Sequence, residues 1–185
     1  MKRKIKILID PGHGGCDVGA VGNISQEKDI ALLYALNLYF ELLNDGNFEP
    51  YITRNRDVYV TLNHRVLMAK EYKVDGFVSI HCNSFTKEDP NDSQIYYYNK
   101  NKDKPFADMV FEFIDDIDGK HSKWSGVKYG NYQVLRDLND TNISAILIEL
   151  GFMSNSQDEE LLNSLDFQQK MVKMIYFGIK SYFFA

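Results

Sequence analysis

The sequence predicts an α/β fold: an open, mostly parallel twisted sheet of about six strands, with helices on both faces, in a single domain spanning residues 1–185. Three observations predict it. Short apolar runs of strand length alternate with longer segments whose apolar residues recur at helical spacing. The order strand–helix–strand–helix–strand in the first half is that of βαβ units. Finally, three apolar runs lead to a residue able to bind a metal or move a proton: the first runs into Asp10-Pro11-Gly12-His13, the second ends on His81 and the third on Glu149. Open α/β sheets gather their chemistry where parallel strands end.

Lys4 to Ile9 reads as the first strand, and the glycine-rich stretch after it as a loop. That loop is no phosphate cradle, because neither G-x-x-x-x-G-K-[ST] nor G-x-G-x-x-G is present. Ser25 is the expected N-cap of a helix whose repeat is Ile30, Leu33, Leu36, Phe40 and Leu43, stopping at Asn44-Asp45-Gly46. Glu27 then falls in the first helical turn, where the helix dipole favours a carboxylate whether or not it has another role.

Glu49 to Arg54 is the next strand, and Thr61 caps a helix with Leu62, Val66, Ala69 and Tyr72 on one face. Val74 to His81 is a strand, and Gln94 to Tyr98 is another after a polar, turn-rich stretch. Asp103 to Asp116 is helical, with Phe106, Met109, Val110 and Phe113 on a common face. Gly126 to Arg136 reads as a surface loop leading into a strand, Ser144 to Leu150 as a buried strand, and Phe167 to Tyr182 as a closing helix. His64 and His121 are read as surface histidines. The aspartates 115, 116 and 118 lack the spacing of a calcium loop and are read as a solvated helix end.

A net charge of −5 and a pI near 5.4 lack the basic footprint that nucleic acid demands. They also disfavour unaided binding to anionic membrane, and no apolar run is long enough to span a bilayer. The basic start Met1-Lys2-Arg3-Lys4 is followed by an apolar stretch broken at Lys6 and ended at Asp10, too short for a secretory signal core. The expectation is synthesis in the cytoplasm without a signal peptide, and action elsewhere after release. Cys16 and Cys82 form no C-x-x-C pair and read as free thiols beside the candidate site.

Taken alone, His13, His81 and the glutamates leave two readings open. Two imidazoles and one carboxylate form a common catalytic zinc set with a fourth position left for water. A glutamate ending a buried strand, such as Glu149, demands pairing, hydrogen bonding or use. Yet the separations are long, unlike the short spacing of a zinc helix.

The motifs IDPGHGG, GAVGNISQEKDIAL, TRNRDVYVTLNHRVLMA, FVSIHCNS, GVKYGNYQVLRD and AILIELGFMSN, in this order, span nearly the whole chain. In them the chain resembles the zinc-dependent N-acetylmuramoyl-L-alanine amidases of the type-3 amidase family. The resemblance implies that His13, Glu27 and His81 hold Zn2+ and that Glu149 is the catalytic glutamate. It implies a substrate in bacterial peptidoglycan, the amide between N-acetylmuramic acid and the L-alanine of the stem peptide.

Cys16, Cys82 and Ser144 depart from the family pattern without removing a ligand or the glutamate. Arg136 and Asn83 are noted near the site as candidates for substrate or structural hydrogen bonds. Joined to the missing signal, the resemblance favours a phage or prophage endolysin catalytic domain, with a bacterial autolysin as the alternative and a wall-binding domain missing from this chain. A zinc peptidase or deacetylase would share the metal set; a non-catalytic wall-binding module would need neither zinc nor Glu149.

Overall fold

The computed structural model describes residues 3–86, 90–115, 117 and 125–185. The stretch holding His121, together with Asp116 and Asp118, lies outside them. One six-stranded sheet has the order β2-β1-β3-β6-β4-β5. Its strands are β1 (Ile5–Pro11), β2 (Phe48–Ile52), β3 (Gly76–Asn83), β4 (Gln94–Tyr97), β5 (Gly126–Tyr129) and β6 (Ser144–Phe152). β2, β1, β3 and β6 run parallel; β4 lies antiparallel to β6, and β5 parallel to β4. The expected fold class is observed.

Helices cover both faces. Against one pack α1 (Glu27–Asp45), α3 (Lys104–Ile114) and the 20-residue α6 (Leu165–Phe184). Ile7, Ile9, Val78, Ile80, Ile146 and Ile148, alternate residues of the central strands, fill that side. The other face carries Leu8, Phe77, Ala145 and Leu147 and is covered by α2 (Leu62–Tyr72) and the single turn α4 (Gln133–Arg136). Burial on both faces explains why the central strands are continuous apolar runs. A further helix, α5 (Ser156–Asn163), links β6 to α6; Asn155 caps it by accepting from the backbone N–H of Gln157 and Asp158. Among the described residues no helix is long and apolar enough to cross a membrane.

Several sequence expectations need correction. Ser25 does not cap α1; Gln26 is the N-cap residue, and the Ser25 hydroxyl donates to Glu159. The buried face of α1 is Ile30, Ala31, Tyr34, Ala35, Leu38 and Leu42, whereas Leu33, Phe40 and Leu43 are exposed. The segment is apolar almost all round, so its repeat can be read in two phases; Tyr34 enters the core because its hydroxyl donates to the Leu162 carbonyl at 3.2 Å. On α2, Val66 and Ala69 are buried, but Leu62 and Tyr72 are exposed.

Gly126 to Arg136 reverses the expected order. Its first residues pair with β4, and the turn α4 follows, with Val134 and Leu135 buried. α5 has a cap signal in Asn155 that the sequence reading passed over. His64 is exposed, as expected.

Candidate active site

The carboxyl ends of β1, β3 and β6 bring the polar residues together. In register, His81 stands opposite Glu149 on β6, and Glu149 opposite Gln94 on β4. Strand pairing alone thus sets an imidazole, a carboxylate and a carboxamide in one row. His13 follows β1, and Glu27 opens α1.

Glu27 is the hub. Its Oε1 lies 3.0 Å from His13 Nε2 and 2.9 Å from His81 Nδ1, and it also accepts the Cys82 backbone N–H at 3.1 Å. Oε2 accepts the Ala20 N–H at 2.8 Å. One donor atom from each of His13, Glu27 and His81 falls within 4.8 Å of the others, close enough for one ion. Two imidazole nitrogens and a carboxylate oxygen, half-buried, make a donor set suited to zinc. Asp17 Oδ2 is 2.9 Å from His13 Nδ1, near enough to orient the ring by charge but out of line for a hydrogen bond.

Glu149 stands beside this group rather than in it. It is 6% exposed, and its Oε2 is buried with no hydrogen-bond partner among the described residues. Burial pushes its carboxyl up to about 7; the Glu27 charge adds to the rise, and His81 and His13 oppose it. Glu27 shows the reverse balance. Burial works against its charge, but hydrogen bonds from His13 and His81 and the Ala20 N–H outweigh it and hold the carboxyl well below the usual range. The two neighbouring carboxyls are thus pushed in opposite directions, Glu27 by its hydrogen bonds and Glu149 by burial.

The scaffold under His13 was not foreseen. Asp10, 1% exposed, accepts from Thr53 Oγ1 at 2.7 Å, Ser79 Oγ at 2.8 Å and Arg65 Nη1 at 2.6 Å. Arg65 also donates to the Pro11 carbonyl at 2.6 Å and the His13 carbonyl at 2.7 Å. Buried Arg54 donates through Nη2 to the Gly12 carbonyl at 2.7 Å and the Lys28 carbonyl at 2.8 Å, tying the loop before His13 to the turn after Glu27. These bonds keep His13 at a left-handed φ of 58°, a conformation that costs a non-glycine residue about 1–3 kcal/mol. A Cβ on Gly12 would lie 2.3 Å from the His81 ring, so only glycine lets that ring close over the loop. The signal was a charge in an apolar phase: Asp10 in a strand, Arg65 beside Val66 and Ala69.

A cleft of about 260 Å³ leads away from the group, with His13, His81 and Asp17 on one side and Tyr59, Tyr132 and Gln133 among its other walls. Tyr132 packs edge-on against Tyr96, whose hydroxyl donates to Gln94 Oε1 at 2.6 Å. Asn83 Nδ2 donates to the same oxygen at 3.1 Å. Arg136 is exposed and pairs with Asp137 at 3.1 Å. Cys16 is an exposed free thiol and Cys82 a buried one.

Known proteins share this arrangement of chain. The catalytic domain of CwlV, an N-acetylmuramoyl-L-alanine amidase of Bacillus (Paenibacillus) polymyxa var. colistinus, superposes with a TM-score of 0.89 at 33% identity, covering 97% of this chain and 98% of that one. An N-acetylmuramoyl-L-alanine amidase from Clostridium difficile 630 gives 0.90 at 29% identity over 98% of each chain. The amidase AmiC of Escherichia coli O6:H1 is 30% identical over 98% of this chain, which spans 53% of that relative's length. The model of the N-acetylmuramoyl-L-alanine amidase family matches residues 7–181, and the chain belongs to that family.

Proposed function

We propose that this chain hydrolyses the amide between the lactyl group of N-acetylmuramic acid and the L-alanine of the peptidoglycan stem peptide, with His13, Glu27 and His81 holding a zinc ion. The observation that carries the reading is Glu149: a buried carboxyl with an unpaired oxygen, one strand across from His81 and outside the three-donor group. Zinc, when bound, lowers the pKa of water and polarises a carbonyl.

The chain's own residues do the rest. His13 and His81 present their nitrogens with Glu27 fixed between them by the Ala20 and Cys82 N–H groups. Glu149 takes the proton of the attacking water on Oε2 and delivers it to the departing alanine nitrogen. Its Oε2, buried and without a hydrogen-bond partner among the described residues, is available for both halves of that task. The cleft beside His13 and His81 receives the substrate.

Metal analysis combined with mass spectrometry of digested peptidoglycan tests the reading. The expected result is about one zinc per chain and stem peptides released with a free L-alanine amine. Cleavage inside the stem would make it a peptidase instead, and loss of acetyl groups a deacetylase. As for setting, the endolysin favoured from the sequence and the bacterial autolysin would both use this chemistry.

A further inference from the structure

Glu159 is a buried acid that the proposed mechanism does not use. It lies on α5, 2% exposed, in contact with a loop more than a hundred positions away in the chain. Its Oε2 accepts the Asn23 N–H at 2.8 Å; its Oε1 accepts the Ile24 N–H at 2.9 Å, the Ser25 N–H at 3.0 Å and the Ser25 hydroxyl at 3.0 Å. A single carboxylate thus gathers three consecutive backbone donors and a hydroxyl. Asn163, one turn further along α5, adds a bond from Nδ2 to Ser25 Oγ at 3.1 Å. At Gly22 a Cβ would lie 2.1 Å from Glu159 Oε1, so the loop closes around the acid.

The loop so gripped is a small hairpin. Val21 and Gln26 form an antiparallel bridge, and the Gly22 N–H donates to the Ser25 carbonyl at 3.0 Å. Its base is Ala20, which bonds Glu27 twice: the Ala20 N–H donates to Glu27 Oε2 at 2.8 Å, and the Ala20 carbonyl accepts the Glu27 N–H at 2.9 Å. Val18 closes the entry by accepting the Lys28 N–H at 3.2 Å. Without Glu159 the tip would keep one internal backbone bond in a stretch that also contains glycine, and Val21 and Ile24, both exposed, offer it no apolar anchor.

We propose that Glu159 is a positioning residue for the metal group: by latching the 21–26 hairpin to α5 it fixes the Ala20 peptide, and through it the orientation of the Glu27 carboxylate. The inference rests on the metal role proposed for Glu27. The effect is on ion affinity, because a carboxylate free to rotate must be ordered each time the ion binds. Partners that orient a metal ligand characteristically change affinity by about 10–100-fold when removed. Glu159 acts one step further out, so the lower end applies.

The test is Glu159→Gln, which keeps size and one acceptor oxygen but sets an NH2 against the Asn23 N–H. Zinc affinity is measured by competition with a chelator at a temperature where the variant is fully folded, and amide hydrogen exchange is followed on the same sample. The expected result is zinc binding weakened about tenfold, with faster exchange confined to Ala20 and the hairpin while the β1 and β3 amides keep their protection. Ser25→Ala, which removes one of the four bonds to Glu159 together with the bond from Asn163, should show a smaller loss of roughly twofold. Unchanged zinc affinity with an unchanged Ala20 amide overturns the proposal, as does protection lost evenly across the sheet. If the unaltered protein takes up no zinc, the metal reading fails, and the Ala20 exchange rate alone then decides whether the latch exists.

Discussion

The two faces of the sheet are built differently. One is sealed by α1, α3 and α6 over a continuous layer of isoleucine, leucine and phenylalanine. The other has an 11-residue helix and one helical turn, and its upper part is left to buried arginines, Asp10 and an open cleft. His81 and Glu149 point to this thinner side, since they share strand phase with Phe77 and Leu147. The sealed face supplies apolar stability. The open face uses hydrogen bonds and charge to hold side chains where a substrate can reach them.

The sharpest way to break this contrast is at Glu149. Glu149→Ala should lower turnover by about 10²–10⁴-fold and leave zinc stoichiometry intact; a variant that still turns over near the original rate would remove Glu149 from the chemistry. Next come matched losses on the two faces. Arg65→Ala leaves Asp10 buried without its cation and should cost about 3–5 kcal/mol, with zinc affinity falling too, because the His13 carbonyl loses its anchor. Phe106→Ala should cost a comparable 3–5 kcal/mol as a cavity, yet leave the zinc affinity of the folded protein unchanged. Denaturant titration and chelator competition read the two quantities separately, and identical behaviour of the two variants would erase the distinction.

A pH effect is also expected from the sealed face. Burial works to raise the Asp45 carboxyl, but hydrogen bonds from Lys180, Tyr176 and Asn47 prevail and hold it below the ordinary range. An acid depressed in the folded state binds protons more readily when unfolded. Its stabilisation is therefore present above the unfolded value of about 4 and fades as the pH falls through and below it. Asp45→Asn should flatten that part of the acid limb in unfolding measurements between pH 6 and pH 3 without altering the fold; an unchanged limb would rule out the linkage. The smallest change is expected at Phe40→Ala, within about 0.5 kcal/mol because the ring is exposed, whereas Leu38→Ala two positions earlier should cost about 2–5 kcal/mol.

That last pair marks where the sequence was legible. Short apolar runs ending on His81 and Glu149 announced the central strands, because burial on both faces leaves little room for polar residues. The α1 stripe did not, since tyrosines and leucines on both sides of the helix make two phases equally apolar, and only the Leu162 carbonyl waiting for Tyr34 decides between them. His13, Glu27 and His81 could be named from motif content, but their meeting on one carboxylate oxygen depends on pairings that no local pattern encodes. Arg54 and Arg65 were missed for a related reason: backbone carbonyls, which leave no trace in residue identity, are partners of both, and Asp10, the side-chain partner of Arg65, lies 55 positions away.

The three donors come from a loop, a helix start and a strand end, and His81 lies 54 positions from Glu27. No fragment short of the β1–β3 pairing can assemble them. Uptake of the proposed ion during refolding should consequently trail the slow long-range registration of the sheet, which would make the ion a timekeeper for the last stage of assembly.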